Sequence, residues 1–334
     1  MIICSAISFG QAAIDSLHKN LNVQVDTVVY AKHPAEQEFN VGNNTILIYK
    51  KPVLFVFIKK LPADALGIVC SPFKRSAIKP LLLVATSSVL LLFADETVAH
   101  GVHQFSENIH LHPEEQYKDV YSIRTGSTRI SILKAPKNLN TGIYQFGQGL
   151  PSLLIGVGLF TYGKIRNDYR AVSVANQLAE SFILMGVGTQ LLKRISGRQS
   201  PNRATERGGD WHLLPKFKDF QKHTASYDAF PSGHLATLMS TLTVFTENYP
   251  EIKWIKPVGY GVIGLLGYAM INNDVHWISD YPLALALGYV CARQVARHNR
   301  KLIKTGAERK NKAELSYTLN YSRGIFMPGI TYKF

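Results

Sequence analysis

Three short blocks hold the side chains able to do chemistry: residues 193–201, with Lys193, Arg198 and Ser200; the tetrapeptide Pro231, Ser232, Gly233, His234; and His276 with Asp280. Phosphoryl transfer asks for this set of residue types: cations and N–H groups for the charge on the equatorial oxygens, a nucleophile, and a proton donor for the leaving oxygen. His276 and Asp280 are four apart, one helical turn, so Asp280 can accept the Nδ1 proton and leave Nε2 as nucleophile or base. Taken alone, the pair is explained as well by a structural hydrogen bond. Ser232 precedes an apolar run and reads as a helix N-cap, with the Gly233 amide behind it facing a phosphate oxygen. His234 on that first turn can protonate a departing group.

Apolar segments recur at residues 78–95, 149–163, 172–192, 234–246, 257–272 and 281–296. They predict an all-α fold, a bundle of about six core helices, with the three blocks at one end when the helices run up and down. Most of these apolar cores are shorter than the roughly 18 residues of a spanning helix, so a soluble bundle competes with a membrane-embedded one. The organisation expected is a signal-like segment at 1–13, a mixed region at 14–77 with a strand hint at residues 23–29, the bundle at 78–297, and a basic tail at 298–334. Leu315, Tyr317, Leu319 and Tyr321, then Ile330, Tyr332 and Phe334, alternate around Gly324 and Pro328 and predict a small β-hairpin.

The net charge of +14 comes from 37 basic and 23 acidic residues, and two stretches, 50–79 and 293–312, carry 13 of the net charges. Each abuts an apolar segment and neither interleaves with stacking aromatics, so membrane lipid is the expected partner and nucleic acid is not. With residue 77 inside, the inner segments are all net positive and the outer connection 95–148 has six acids and five bases, which predicts six spans and an active end on the non-cytoplasmic side. A signal sequence at the start would invert the first span. A mean hydropathy of 0.00 averages these helices with polar flanks. Cys4, Cys70 and Cys291 have neither disulfide nor zinc spacing. His100, His103, His110 and His112 with Glu107 and Glu114 read as a solvated loop before a metal site. Trp211, His212, Lys216, Lys218, Lys222 and His223 are candidate head-group contacts.

In order and spacing the three blocks resemble the type 2 phosphatidic acid phosphatase and vanadium haloperoxidase superfamily: a lysine, six residues, Arg-Pro; then Pro-Ser-Gly-His; then Ser-Arg, five residues, His, three residues, Asp. Lys193, residues 231–234, and His276 with Asp280 fit this pattern, and the resemblance covers residues 145–297. Ser200 stands where the pattern has its first arginine, and Ala269 with Met270 where it has Ser-Arg. Arg198 and Arg203 flank the first block and are the expected substitutes.

The resemblance implies a cell-envelope phosphatase, integral to or tightly associated with a membrane, that needs no metal or cofactor and acts on a phosphorylated lipid or a small phosphate ester. His276 would form a phosphohistidine, Asp280 would steady its imidazolium, and His234 would protonate the leaving oxygen. Lys193, Arg198, Arg203, Ser232 and Gly233 would hold the phosphate. Two alternatives stand beside this reading: halide oxidation with vanadate as cofactor rather than as phosphate mimic, and a catalytically weakened protein that binds phosphorylated lipid. A soluble periplasmic form is the alternative location.

Overall fold

The computed structural model describes residues 35–53, 55–113, 117–125, 128–304, 314–322 and 325–333. The signal-like segment 1–13, the strand hint at residues 23–29, Cys4 and Glu114 lie outside them. The chain opens with antiparallel strands β1 (Glu36–Asn40) and β2 (Thr45–Lys50). Helices α1 (Val56–Cys70), α2 (Ile78–Leu92) and α3 (Asp95–Asn108) follow, then a hairpin of β3 (Tyr117–Thr125) and β4 (Thr128–Pro136). Next come α4 (Leu139–Gln145), α5 (Leu150–Arg166), α6 (Tyr169–Ser196), α7 (Phe217–Lys222), α8 (Gly233–Asn248), α9 (Ile255–Asn272) and α10 (Tyr281–His298). Strand β5 (Lys301–Lys304) then pairs with β2, setting Leu47 opposite Leu302. The hairpin expected at the C-terminus forms from β6 (Glu314–Ser322) and β7 (Ile325–Lys333).

The fold is therefore mostly α, as expected, with small antiparallel sheets appended. α6 is its axis: 28 residues, or about 42 Å at the α-helical rise. It starts where the Asp168 side chain accepts the Ala171 amide at 2.9 Å, and it ends at Gly197, whose φ of 55° is left-handed. α8 and α10 pack on it around Met185, Leu235, Met239, Leu266, Ala284 and Cys291. The β1–β2–β5 sheet closes one end of this bundle. There the Tyr49 hydroxyl donates to Asn248 at 2.8 Å, and Gln37 bonds the α5–α6 turn through Asn167 and Tyr169. The opposite end collects the C-terminus of α6 and the N-termini of α8 and α10, which carry the three chemical blocks.

Helices form at all six predicted apolar segments, but their properties differ. Among the described residues, two stretches are long and apolar enough to cross a membrane, Arg75–Leu92 and Tyr169–Ser196; a third arises if α4 and α5, bent by 57°, count as one span. The six-span expectation is thus met by two or three. None of Arg75–Leu92 is buried, and leucines along α2 such as Leu82, Leu83 and Leu90 are more than 60% exposed. An apolar helix that packs on so little protein fits a lipid surround. Residues 95–108, read from sequence as loop, form α3; His103 bonds the Ile271 carbonyl at 3.3 Å and pairs with Asp274 at 3.2 Å, which ties this helix to the end of α9.

α8 and α10 approach so closely that a Cβ at Gly288 would run into the Ala236 carbonyl oxygen. Gly288→Ala is therefore expected to push these helices apart and cost about 1–3 kcal/mol, read as a lower Tm in detergent. An unchanged Tm would contradict the packing described.

Candidate functional site

Lys193 lies in the last turn of α6 and is 7% exposed; its Nζ sits 3.3 Å from Asp228 Oδ2. A Cβ at Gly233 would come within 4.0 Å of its Cε, so the cation stands beside the α8 N-terminus. Ser232 caps that helix, its Oγ accepting the Leu235 amide at 3.4 Å. The same hydroxyl lies 3.5 Å from the Met270 sulfur, so a thioether stands where the family pattern has a guanidinium. Ser200, at the other arginine position, is buried and gives its amide to the Ala225 carbonyl.

His276 is almost fully buried, with its ring centroid 5.9 Å from that of His234. Its Nδ1 is 2.7 Å from the Ala229 carbonyl oxygen and 3.5 Å from Asp280 Oδ2. A carbonyl only accepts, so Nδ1 carries the proton and Nε2 holds the lone pair. The proton acceptor predicted from sequence, Asp280, is displaced from that role by a backbone oxygen, and its Oδ2 stays 3.5 Å from Nδ1. Nε2 itself is buried without a protein partner. Burial first, and Lys193 second, push the His276 pKa down to about 3, so the imidazole is neutral at physiological pH. His234 is pushed down to about 3 by burial and by the neighbouring His276 and Lys193; its ring packs on Tyr144 of α4 at 4.7 Å.

Arg198 is where sequence and structure differ most. Expected at the phosphate, it is instead fully buried behind Asp280. Nη1 donates to Asp280 Oδ1 at 2.5 Å and to Ser279 Oγ at 2.7 Å, Nη2 to Asp95 Oδ2 and the Gly208 carbonyl, both at 2.7 Å, and Nε to Gly208 at 3.3 Å. All five N–H groups are engaged, leaving none for a substrate oxygen. Trp211 and Trp277 cover the guanidinium at 4.9 and 5.4 Å, and Trp211 is still 41% exposed. The Arg198 carbonyl in turn accepts the Ala229 amide at 3.0 Å, fixing the peptide that selects the His276 tautomer. Arg203 is exposed at the end of the turn Pro201–Arg203 and is not brought to the imidazoles.

Asp280 Oδ2 accepts the Trp277 amide at 2.8 Å, and burial raises the carboxyl to about 6 against the pull of Arg198. Sequence reasoning missed Asp95, Ser279 and the Ala229 carbonyl. Asp95 had one visible signal, a carboxylate directly after an apolar run; nothing in the sequence pairs it with Arg198. No group of three or more His, Cys, Asp or Glu side chains among the described residues is placed to hold a metal.

Residues 175–304 match the PAP2 superfamily. The chain is 26% identical over 176 residues to a lipid A 1-phosphatase of Rhizobium etli, covering 48% of this chain and 69% of that protein. It is 36% identical over 62 residues to a lipid A 1-phosphatase of Porphyromonas gingivalis, covering 18% of this chain and 14% of the other. Among solved structures, a transmembrane PAP2 type phosphatidylglycerolphosphate phosphatase from Bacillus subtilis aligns with 72% of this chain and 94% of its own, at 17% identity and a TM-score of 0.35.

Removing Arg198 would strand two buried carboxylates. Arg198→Ala is expected to lower the unfolding free energy by about 3–5 kcal/mol, whereas exposed Arg203→Ala changes it by less than about 0.5 kcal/mol. Equal thermal shifts for the two variants would contradict the assignment of Arg198 to the interior.

Proposed function

We propose that the chain, whose residues 175–304 match the PAP2 superfamily, is a phosphatase that removes a phosphate or diphosphate group from a lipid through a phosphohistidine on His276. The observation that carries this is the His276 Nε2 lone pair: held by a fixed tautomer, neutral, desolvated, and beside His234, Lys193 and the α8 N-terminus. Nε2 attacks phosphorus, the bond to the leaving oxygen breaks, and that oxygen takes its proton from His234. Water then attacks the phosphohistidine, gives a proton back to His234, and the P–N electron pair returns to Nε2. Asp280 stabilises the imidazolium charge throughout. His234 is unprotonated in the free site; a phosphate dianion arriving next to it reverses the local field and favours the protonated acid, so binding and protonation are coupled.

Lys193, the Gly233 amide and the Ser232 cap are the groups left to hold the equatorial oxygens. Met270 and Ser200 remove two guanidiniums, which predicts weak hold on free phosphate and argues against a tightly bound vanadate and halide oxidation. A lipid substrate is supported by the exposed apolar faces of α2, α5 and α6 and by the names of the two curated relatives, both lipid A 1-phosphatases. Which phosphorylated lipid is used is the finer question, and lipid A is the first to test. A cytoplasmic sheet end, with the site on the other side, is supported by the basic flanks at residues 50–79 and 293–312. The weakened-site reading is favoured by Met270 and Ser200, and turnover would exclude it.

Purified protein is expected to release phosphate from lipid A, phosphatidate, isoprenoid diphosphate or p-nitrophenyl phosphate, with His276→Ala slower by at least about a thousand-fold. Because Asp280 is raised to about 6, its carboxylate is present above that pH and lost below it; kcat/KM should fall as pH drops through about 6. A wild-type protein inactive on all four substrates, or a His276→Ala variant with full turnover, would sink this reading.

A further inference from the structure

Asp95 is the first residue of α3, directly beyond the exposed helix α2 and outside the segment 175–304 that matches the family. It is 1% exposed, and its carboxylate makes three bonds at the back of the site: Oδ1 accepts the Ser279 amide at 3.0 Å, and Oδ2 accepts Ser279 Oγ and Arg198 Nη2, both at 2.7 Å. The neighbouring Glu96 accepts the Gly208 amide at 2.9 Å, so the same helix start holds the loop whose carbonyl takes two of the Arg198 donors. Asp95 therefore grips both things that grip Asp280: the guanidinium on its Oδ1 and the backbone turn Ile278–Asp280 that carries it. A charge buried this completely is tolerated only with its partners in place, so these positions are set jointly.

We propose that Asp95 is a positioning residue of the hydrolytic site, which through Arg198 and the Ser279 amide fixes where the Asp280 carboxylate stands behind His276. The proposal rests on the phosphatase reading above. It makes the α2–α3 junction part of the active site without contact to substrate. The charged and titratable groups around Asp280 are Arg198, His276, Lys193, Tyr281 and, through Arg198, Asp95 itself.

The test is Asp95→Asn in the full chain, in detergent, with p-nitrophenyl phosphate and a lipid phosphate. An amide keeps the shape but turns a donor toward donors and removes one negative charge. kcat is expected to fall roughly ten- to a hundred-fold, the range for groups that orient a functional imidazole from behind, while KM and inhibition by inorganic phosphate stay within about twofold. The acid limb of kcat should move to lower pH, because Arg198 is then left wholly to Asp280 and holds it ionised further down. Asp95→Glu should return the limb toward its wild-type position. A folded Asp95→Asn protein with wild-type kcat and limb overturns the proposal, and so does loss of phosphate inhibition in step with kcat. Should Asp95→Asn fail to fold, Asp95→Glu decides: a folded protein with a several-fold lower kcat and an unchanged KM supports the role, because the longer side chain misplaces the same charge, and wild-type kinetics overturn it. Wild-type protein without turnover defeats the phosphatase reading and the proposal with it; wild-type turnover beside an undisturbed Asp95→Asn defeats the positioning role alone.

Discussion

A guanidinium between two carboxylates, all three almost wholly removed from water, is the constraint on which the rest of the site depends. In a low-dielectric interior such charges persist only when every donor and acceptor is met, and here the five N–H groups of Arg198 meet Asp95, Asp280, Ser279 and Gly208. The network cannot slide, because any displacement strands a charge. Three otherwise separate pieces of chain are fixed together by it: the start of α3, the loop after α6, and the turn before α10. His276 inherits its place from that turn and its tautomer from Ala229, whose amide is bound by the Arg198 backbone.

This arrangement divides labour differently from a site that clamps its substrate with arginines. Arg198 is spent on holding Asp280, while Lys193 stands beside the α8 N-terminus. Asp228 pairs with Lys193 at 3.3 Å. The bundle supplies the remaining asymmetry. Its sheet-capped end carries β5 with Lys301 and Lys304, its other end carries the imidazoles, and the apolar helix α2 packs on little protein.

Much of this was legible in the sequence, and the parts that were not share a physical cause. Lys193, Ser232, His234 and Asp280 sit at helix ends, which can be placed from apolar periodicity and caps, and His276 lies in the connection between α9 and α10. The C-terminal hairpin was visible as alternation. The β1–β2–β5 sheet was not, since its last strand is four residues long and pairs Leu47 with Leu302. Arg198 was read as facing substrate because proximity to a motif says nothing of direction; a backbone bridge to Trp211 and Asp228 turns its side chain inward. Asp95 lies 103 residues from Arg198, and no local pattern could join them. The histidines of α3 looked like loop because their helix packs only one narrow face on α9.

The central claim is that the buried Nε2 of His276 is the nucleophile, and a rapid-quench experiment addresses it most directly. Wild-type protein mixed with a lipid phosphate labelled in the phosphoryl group and stopped in alkali should carry the label on His276, in an acid-labile, base-stable bond that forms and decays at rates consistent with kcat. Label on any other residue, or turnover at full rate in a His276→Ala protein, would contradict the account.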